Sequence, residues 1–328
     1  MESGDRTMRY INPGYGELLD IDGGVTISDA AYNPTHGVAF YQPTDNDGMT
    51  LDTPITDLYG KFDFFLPSSF GNLPSNYFLK VGIYNGGSDG STAGFTGFAM
   101  YKYSAYYLRF RACGSRSGYV KEKSISDSSY SPAVLNGINH IWFHFKSSTG
   151  NGNYDGEYEV YVNGVNILEG ANNGGYFGDC AKLVIYAANA YSPIAEIILS
   201  DTAVSDKEQI AAIPLTNPVT DMVDRGDGSY MAESAGQQIL QTVDVASLIS
   251  NFGGVSPVTG IAIVGNPAYR NGEGLTTLTA LSKANGTQTE HGTKTLRTSA
   301  TAGAADCYTV NMTLADMAGM QLGWKAGV

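Results

Sequence analysis

Cationic residues are scarce in this chain. Nineteen Lys+Arg stand against 32 Asp+Glu in 328 residues, a formal net charge of −13. A surface of that sign does not neutralise phosphates, so general nucleic-acid binding and attachment to anionic membranes are excluded as main functions. No apolar run approaches the roughly 20 residues of a membrane span. No apolar segment follows the polar stretch Met1–Tyr10, so no signal peptide is expected. Cysteine occurs three times, as Cys113, Cys180 and Cys307. With no Cys-x-x-Cys pair, neither a zinc cage nor a disulfide framework is indicated, and the three read as small buried hydrophobes made in a reducing cytosol. Histidine occurs four times. There is no H-E-x-x-H helix, no nucleophile elbow and no phosphate loop.

What is present is the material of β-sheet. Tyr (22) and Phe (13) are plentiful, Gly numbers 41, and Asn-Gly turns recur. Segments of 3.6-residue apolar period are missing, so strands separated by turn signals are expected throughout. Leu58–Leu66 alternates: Tyr59, Lys61, Asp63 and Phe65 face one way, and Gly60, Phe62, Phe64 and Leu66 the other. Ile138–Lys146 and Glu157–Asn163 read as a hairpin across the polar loop 147–156, and Asn163-Gly164 turns the chain into the next strand. Ser205 and Glu208 have capping-box spacing and predict a short helix over 205–213. Pro214–Pro218 (PLTNP) reads as a linker. After it Phe nearly disappears, Thr and Ala rise, and the strands shorten. The reading is a β-sandwich over 1–213 and a second, smaller β-domain over 214–328. Thr313 and Asp316 are placed to cap a last helical turn before Trp324.

Catalysis finds little to work with. Glu157 and Glu159 share a strand face, but a glycosidase needs two carboxylates flanking one bond, and a solvated face explains them equally. His140 and His144 bracket Trp142 on one strand face, with Ile141, Phe143 and Phe145 opposite. That strip is either a sugar-stacking platform or an ordinary half-buried sheet face. A platform would draw hydrogen bonds from the adjoining loop, which makes Trp142, His144, Asn151, Asn153 and Asp155 the carbohydrate-binding candidates. Asp45 and Asp47 in Asp45-Asn46-Asp47-Gly48, and the pair Asp20/Asp22, offer hard oxygen ligands. Calcium is the one cofactor such loops would admit, although turn chemistry accounts for them as well. A small basic run (Lys102, Arg109, Arg111, Arg116, Lys121, Lys123) would suit an acidic glycan or partner, or a solvated face. Asn285-Gly-Thr and Asn311-Met-Thr match the glycosylation pattern and carry little weight without a signal peptide.

Asn139–Glu169 resembles the paired strands of laminin-G-like and concanavalin A-like domains. In those a Trp/His strand leads through a polar loop to a Y-x-V-x-x-N-G strand and turn, and Tyr158, Val160, Asn163 and Gly164 stand at the matching positions. The likeness covers about residues 20–213 and implies a concanavalin A-like jelly-roll sandwich. The second half is similar to the C-terminal parts of structural and tail proteins of tailed bacteriophages. Pro257–Arg270, Leu275–Thr279, Tyr308–Thr309 and the ending Leu314–Val328 carry that likeness, with Trp324 after the helical turn rather than before it. The resemblance implies a non-enzymatic, tail-associated or decorating subunit of a phage particle, assembled in the host cytoplasm. Its implied partners are other virion proteins, copies of itself and host-surface glycans, with no nucleic acid and no membrane insertion. The alternative is a lectin-like module or a receptor-binding adhesin.

Overall fold

The computed structural model describes residues 9–12, 26–29, 38–41, 49–50, 55–73, 76–84, 94–114, 118–126, 128–150, 153–173, 175, 177, 182–187, 194–205, 213, 215–265, 268–272, 274–298 and 304–328. The chain divides into two compact units, Met1–Gln209 and Ile210–Val328. The regular structure among the described residues is nearly all strand, as the composition led one to expect, with one α-helix and two short 3₁₀ turns.

Among its described residues unit 1 has fourteen strands: β1 Arg9–Asn12, β2 Thr26–Asp29, β3 Val38–Tyr41, β4 Met49–Thr50, β5 Asp57–Leu66, β6 Asn76–Tyr84, β7 Phe95–Ser104, β8 Tyr107–Gly114, β9 Gly118–Ser126, β10 Gly137–Lys146, β11 Gly156–Val162, β12 Val165–Asn173, β13 Lys182–Ala187 and β14 Ile194–Ser200. They build two antiparallel six-stranded sheets, β1-β14-β5-β10-β11-β12 and β4-β13-β6-β7-β8-β9, and β2 pairs with β3. The alternation in β5 decides which face goes inside. Phe62, Phe64 and Leu66 are buried, as are Ile141, Phe143 and Phe145 of β10 and Val160 and Val162 of β11. These side chains meet the second sheet: Phe62 and Phe143 approach Phe98 of β7 at 5.8 and 6.3 Å between ring centroids. Phe64 meets Phe78 of β6 at 6.1 Å. Two sheets sharing an aromatic core in this way make a β-sandwich. The expected hairpin is present, with His144 opposite Glu159 and Trp142 opposite Tyr161. Its far turn uses Asn163 (φ 52°) and Gly164 (φ 75°), the left-handed pair that Asn-Gly supplies.

Cys113 is fully buried, as expected of a small hydrophobe, and burial pushes its thiol up to about 12.

Unit 2 holds β15 Leu215–Thr220, β16 Val223–Asp224, β17 Tyr230–Met231, β18 Gln238–Val243, α1 Ala246–Phe252, β19 Pro257–Gly265, β20 Thr277–Ala284, β21 Thr287–Thr295, β22 Ala304–Thr313 and β23 Gln321–Gly327. The sheet β15-β18-β23-β20-β21 and the ribbon β19–β22 share one core, in which Ile261 and Ile263 of the ribbon join Ala280, Leu322 and Trp324 of the sheet. Pro214–Pro218 is not simply a linker: Leu215–Thr220 pairs with β18 across a bulge that accommodates Pro218, which has no N–H to give the ladder. Thr313 and Asp316 do cap a 3₁₀ turn, Ala315–Met317, with the Thr313 N–H and hydroxyl both donating to Asp316 at 2.8 Å. Trp324 sits in the central strand β23, between β18 and β20. The helix expected over 205–213 lies mostly outside the described residues.

Candidate functional site

Because β5, β10 and β11 send their apolar residues inward, their other side chains form cross-strand rows on the outer face of the first sheet. Asp63 lies opposite His140, Lys61 opposite Trp142, and Tyr59 opposite His144; Trp142 and His144 continue to Tyr161 and Glu159. The sequence placed Trp142 and His144 on one face, and the structure agrees. It also shows what alternation could not: this face is not simply solvated. Lys61 and Asp63 are buried, and Trp142 and His144 are half-buried.

Each group has a defined partner. The Trp142 indole N–H donates to the Val204 carbonyl at 2.7 Å, and its ring meets Tyr161 edge to face at 5.1 Å and 75°. His140 Nδ1 lies 2.7 Å from Asp63 Oδ1, with 63% of the His140 side chain exposed. His144 Nε2 lies 2.9 Å from Asp57, and the ring stacks on Tyr59 at 4.1 Å. Burial, and then the Asp57 charge, raise the Tyr59 hydroxyl above its ordinary range.

A cleft of about 780 Å³ opens over this face. Trp142 and Tyr161 line it beside Lys61 and His140, with Pro132, Val134 and Val204 among the apolar wall residues. The wall is fastened by two asparagines. Asn163 Oδ1 accepts from the His140 N–H at 2.8 Å, and its Nδ2 donates to Pro132 O at 2.9 Å and to Asn139 Oδ1 at 3.0 Å. Buried Asn139 accepts from the Val134 N–H at 2.7 Å and donates to the carbonyls of Val134 and Gly137. Replacing Asn163 by glycine keeps the left-handed turn and removes all three of its side-chain bonds. Asn163→Gly is expected to lower unfolding free energy by about 1–3 kcal/mol in urea titrations. A loss under about 0.5 kcal/mol would mean that the wall stands without them.

The loop candidates do not join this cleft. Asp155 accepts from the Thr149 N–H (2.9 Å) and hydroxyl (2.6 Å), and Asn153 donates to Thr149 Oγ1 at 2.9 Å. These groups fold the loop onto itself, and neither Asn153 nor Asp155 lines the cleft. Asn151 lies outside the described residues, as do Asp20, Asp22, Asp45 and Asp47. Among the described residues no group of three or more His, Cys, Asp or Glu is placed to hold a metal. The Thr149 hydroxyl and N–H hold the Asp155 carboxyl below its usual range. A depressed folded value means the loop's support is present above the ordinary carboxylate range and is lost as pH falls through the lowered one. The Thr149 amide resonance is therefore expected to shift only in that acid window, and Asp155→Asn to abolish the transition. A shift that persists in Asp155→Asn would assign it to another group.

Glu157 pairs with Lys146 at 3.4 Å and Glu159 accepts from the Tyr161 hydroxyl at 3.4 Å, so each has a partner other than the second glutamate. The basic run separates. Arg109 and Arg111 pair with Glu122 on the second sheet, and Lys102 donates to the carbonyls of Gly71 and Leu73 at 2.8 and 2.5 Å. Lys121 and Lys123 alternate with Glu122 along β9 and are exposed, and Arg116 lies outside the described residues. Sequence reasoning missed Tyr161, Lys61 and Asn163 as cleft residues. The signal for Tyr161 was the register of the hairpin, which sets it beside Trp142; Lys61 comes to Trp142 only through the pairing of the distant strands β5 and β10.

No protein-family model and no curated protein matches the chain. Among solved structures it resembles an alginate lyase in complex with an alginate trisaccharide (14% identity, 59% of this chain and 80% of that one, TM-score 0.33). It also resembles an endo-β-1,4-glucuronan lyase from the fungus Trichoderma reesei (13%, 60% and 93%, 0.34). A third is the botulinum neurotoxin serotype C1 binding domain (12%, 87% and 73%, 0.32). Likeness at this level carries no assignment of activity to this chain. It does correct the expectation that the chain is not an enzyme, which rested on missing catalytic motifs: two of these solved structures are polysaccharide lyases.

Proposed function

We propose that the chain is a carbohydrate-binding protein whose first unit holds a glycan in the cleft lined by Trp142 and Tyr161. The observation that carries this reading is the pair of perpendicular rings in a cleft of about 780 Å³, within the roughly 300–1,000 Å³ of small-ligand sites. Ring faces stack on the C–H faces of sugars, while His140 and Lys61 supply polar contacts at the same cleft. The full chain on a glycan array is expected to give a defined hit. Trp142→Ala is expected to weaken it about 10–100-fold, the loss of one well-packed aromatic contact. A silent array, or an affinity unchanged in both Trp142→Ala and Tyr161→Ala, sinks the reading. The same incubations are read for new reducing ends, which score turnover.

The proposed setting is a bacteriophage particle, in which the chain is a tail-associated or decorating subunit assembled in the host cytoplasm against other virion proteins and copies of itself. The likeness of Pro257–Arg270 and Leu314–Val328 to phage tail proteins supports it. Density fractionation with mass spectrometry tests it. Co-migration with virions at fixed stoichiometry is the expected result, and recovery in the soluble fraction alone removes the setting.

A further inference from the structure

The charges around the Trp142 cleft bear on which sugars it can take. β5, β10, β11 and β12 turn their charged side chains onto one outer face, because each strand keeps its apolar residues inside. Among the described residues of those four strands, the face carries five carboxylates (Asp57, Asp63, Glu157, Glu159 and Glu169) and two lysines (Lys61 and Lys146). Glu159 and Glu169 lie directly opposite one another. The Tyr161 hydroxyl donates to Glu159 at 3.4 Å, so the acidic row begins at a ring that lines the cleft. The Tyr59 hydroxyl feels the same field: burial first, then the charges of Asp57 and Glu159, raise it.

The cations at the cleft offset this row little, because they are engaged. His140 Nδ1 lies 2.7 Å from Asp63 Oδ1. Lys61 is buried and engaged, and stands two residues from buried Asp63 on the same face. Further along, Lys146 pairs with Glu157 at 3.4 Å. A carboxylated or sulfated sugar stacked on Trp142 and Tyr161 would therefore give up water around its charge without gaining an uncommitted cation from the described residues, and would lie beside Glu159. A neutral sugar meets no such penalty. Hydroxyls both donate and accept, so they can bond to groups that keep their present partners. In a chain of net charge −13 the repulsion of anions also reaches beyond the cleft. We infer that this cleft selects neutral glycans and turns uronates and sulfated sugars away, which rests on its reading as a glycan site.

The test reads the full chain on a glycan array that carries neutral oligosaccharides beside uronates and sulfated ones. Hits that Trp142→Ala or Tyr161→Ala weakens belong to the cleft, and all of them are expected to be neutral. The strongest is then compared by calorimetry with its own C6-oxidised form, in which primary alcohols have become carboxylates. Oxidation is expected to weaken binding about tenfold or more at low salt. The gap should narrow as salt rises, the reverse of a site that seeks anions. Glu159→Gln combined with Glu169→Gln removes two charges at nearly constant shape and is expected to narrow the gap roughly threefold. A melting curve verifies that this double variant stays folded. Three results overturn the inference and leave the cleft reading standing: a cleft-dependent uronate or sulfated hit as strong as the neutral ones, an oxidised form that binds like its parent, or a gap that the double variant leaves untouched. An array with no cleft-dependent hit of either kind removes the cleft reading, and the inference falls with it.

Discussion

Phe143→Ala is expected to lower the unfolding free energy of unit 1 by about 3–5 kcal/mol, the range for emptying a buried aromatic site. Phe143 is fully buried. Its ring contacts Phe62 at 6.4 Å, Phe98 at 6.3 Å and Phe145 at 5.6 Å, so it joins both sheets and one neighbour on its own strand. It also explains a glycine. A Cβ on Gly60, directly opposite in β5, would overlap the Phe143 ring. Gly60→Ala alone is therefore expected to destabilise, yet in the Phe143→Ala background the added methyl partly fills the vacated space. The double mutant should lose less than the sum of the singles by about 1 kcal/mol or more. Circular dichroism in urea measures all four corners of the cycle. A loss under about 1 kcal/mol in Phe143→Ala would mean the sheets close over the gap, and strict additivity would mean Gly60 is not there for the ring.

Gly323→Ala should act on unit 2 alone. Gly323 sits in the central strand β23, between Leu240 of β18 and Leu281 of β20. A Cβ there would run into the Ile239 carbonyl, with that group's carbon at 2.8 Å and Leu240 Cα at 3.0 Å. The obstacle is backbone of a paired strand and cannot rotate away. A loss of about 3 kcal/mol or more is expected, with β18 and β23 separating. Limited proteolysis should then degrade 210–328 and leave a fragment close to 1–209. Gly254→Ala is the control, since its Cβ would meet only side chains at ordinary contact, Ala315 at 3.6 Å and Ile249 at 3.8 Å. Equal protease resistance of Gly323→Ala and Gly254→Ala would show that the strands shift to accept the methyl.

Much of unit 1 was readable because its strands are amphipathic in the simplest sense. LYGKFDFFL and INHIWFHFK alternate so regularly that period-two counting assigned Phe62, Phe64 and Leu66 of β5 and Ile141, Phe143 and Phe145 of β10 to the core. The strands that escaped are those whose side chains do not alternate in polarity. Gly118–Ser126 reads as a basic run, since Lys121 and Lys123 flank Glu122 on a strand at the sheet edge. Thr287–Thr295 is polar on both faces for the same reason. Its signal was the Asn285-Gly286 pair (φ 50° and 79°) that turns β20 into β21, which reads equally as a glycosylation site. Helix α1 has no side-chain cap from Val245; the Asp244 carboxylate accepts from the Ala246 N–H instead, a weaker cue than a Ser-x-x-Glu box.

The cleft was half legible. Trp142 and its histidines could be placed on one face from spacing alone. That each histidine turns to an aspartate of β5, 77 and 87 residues earlier, depends on pairing between distant strands, which periodicity does not encode. Asp155 is turned to its own loop rather than to the cleft for a local reason. Short polar side chains in a tight loop find donors nearby, here the Thr149 N–H and hydroxyl.

The placement of the two tryptophans has a spectroscopic consequence. The chain has two, Trp142 and Trp324, and each unit holds one. Trp142 is half-buried at an open cleft, whereas Trp324 is 7% exposed between paired strands. Their emission therefore reports on different environments, and a single Trp→Phe replacement leaves a chain whose tryptophan emission comes from one unit only. Heating the two single-tryptophan chains would show directly whether the units melt together or one after the other. Quenching of Trp142 by a bound sugar would arrive without any label, read from the residue at the centre of the question.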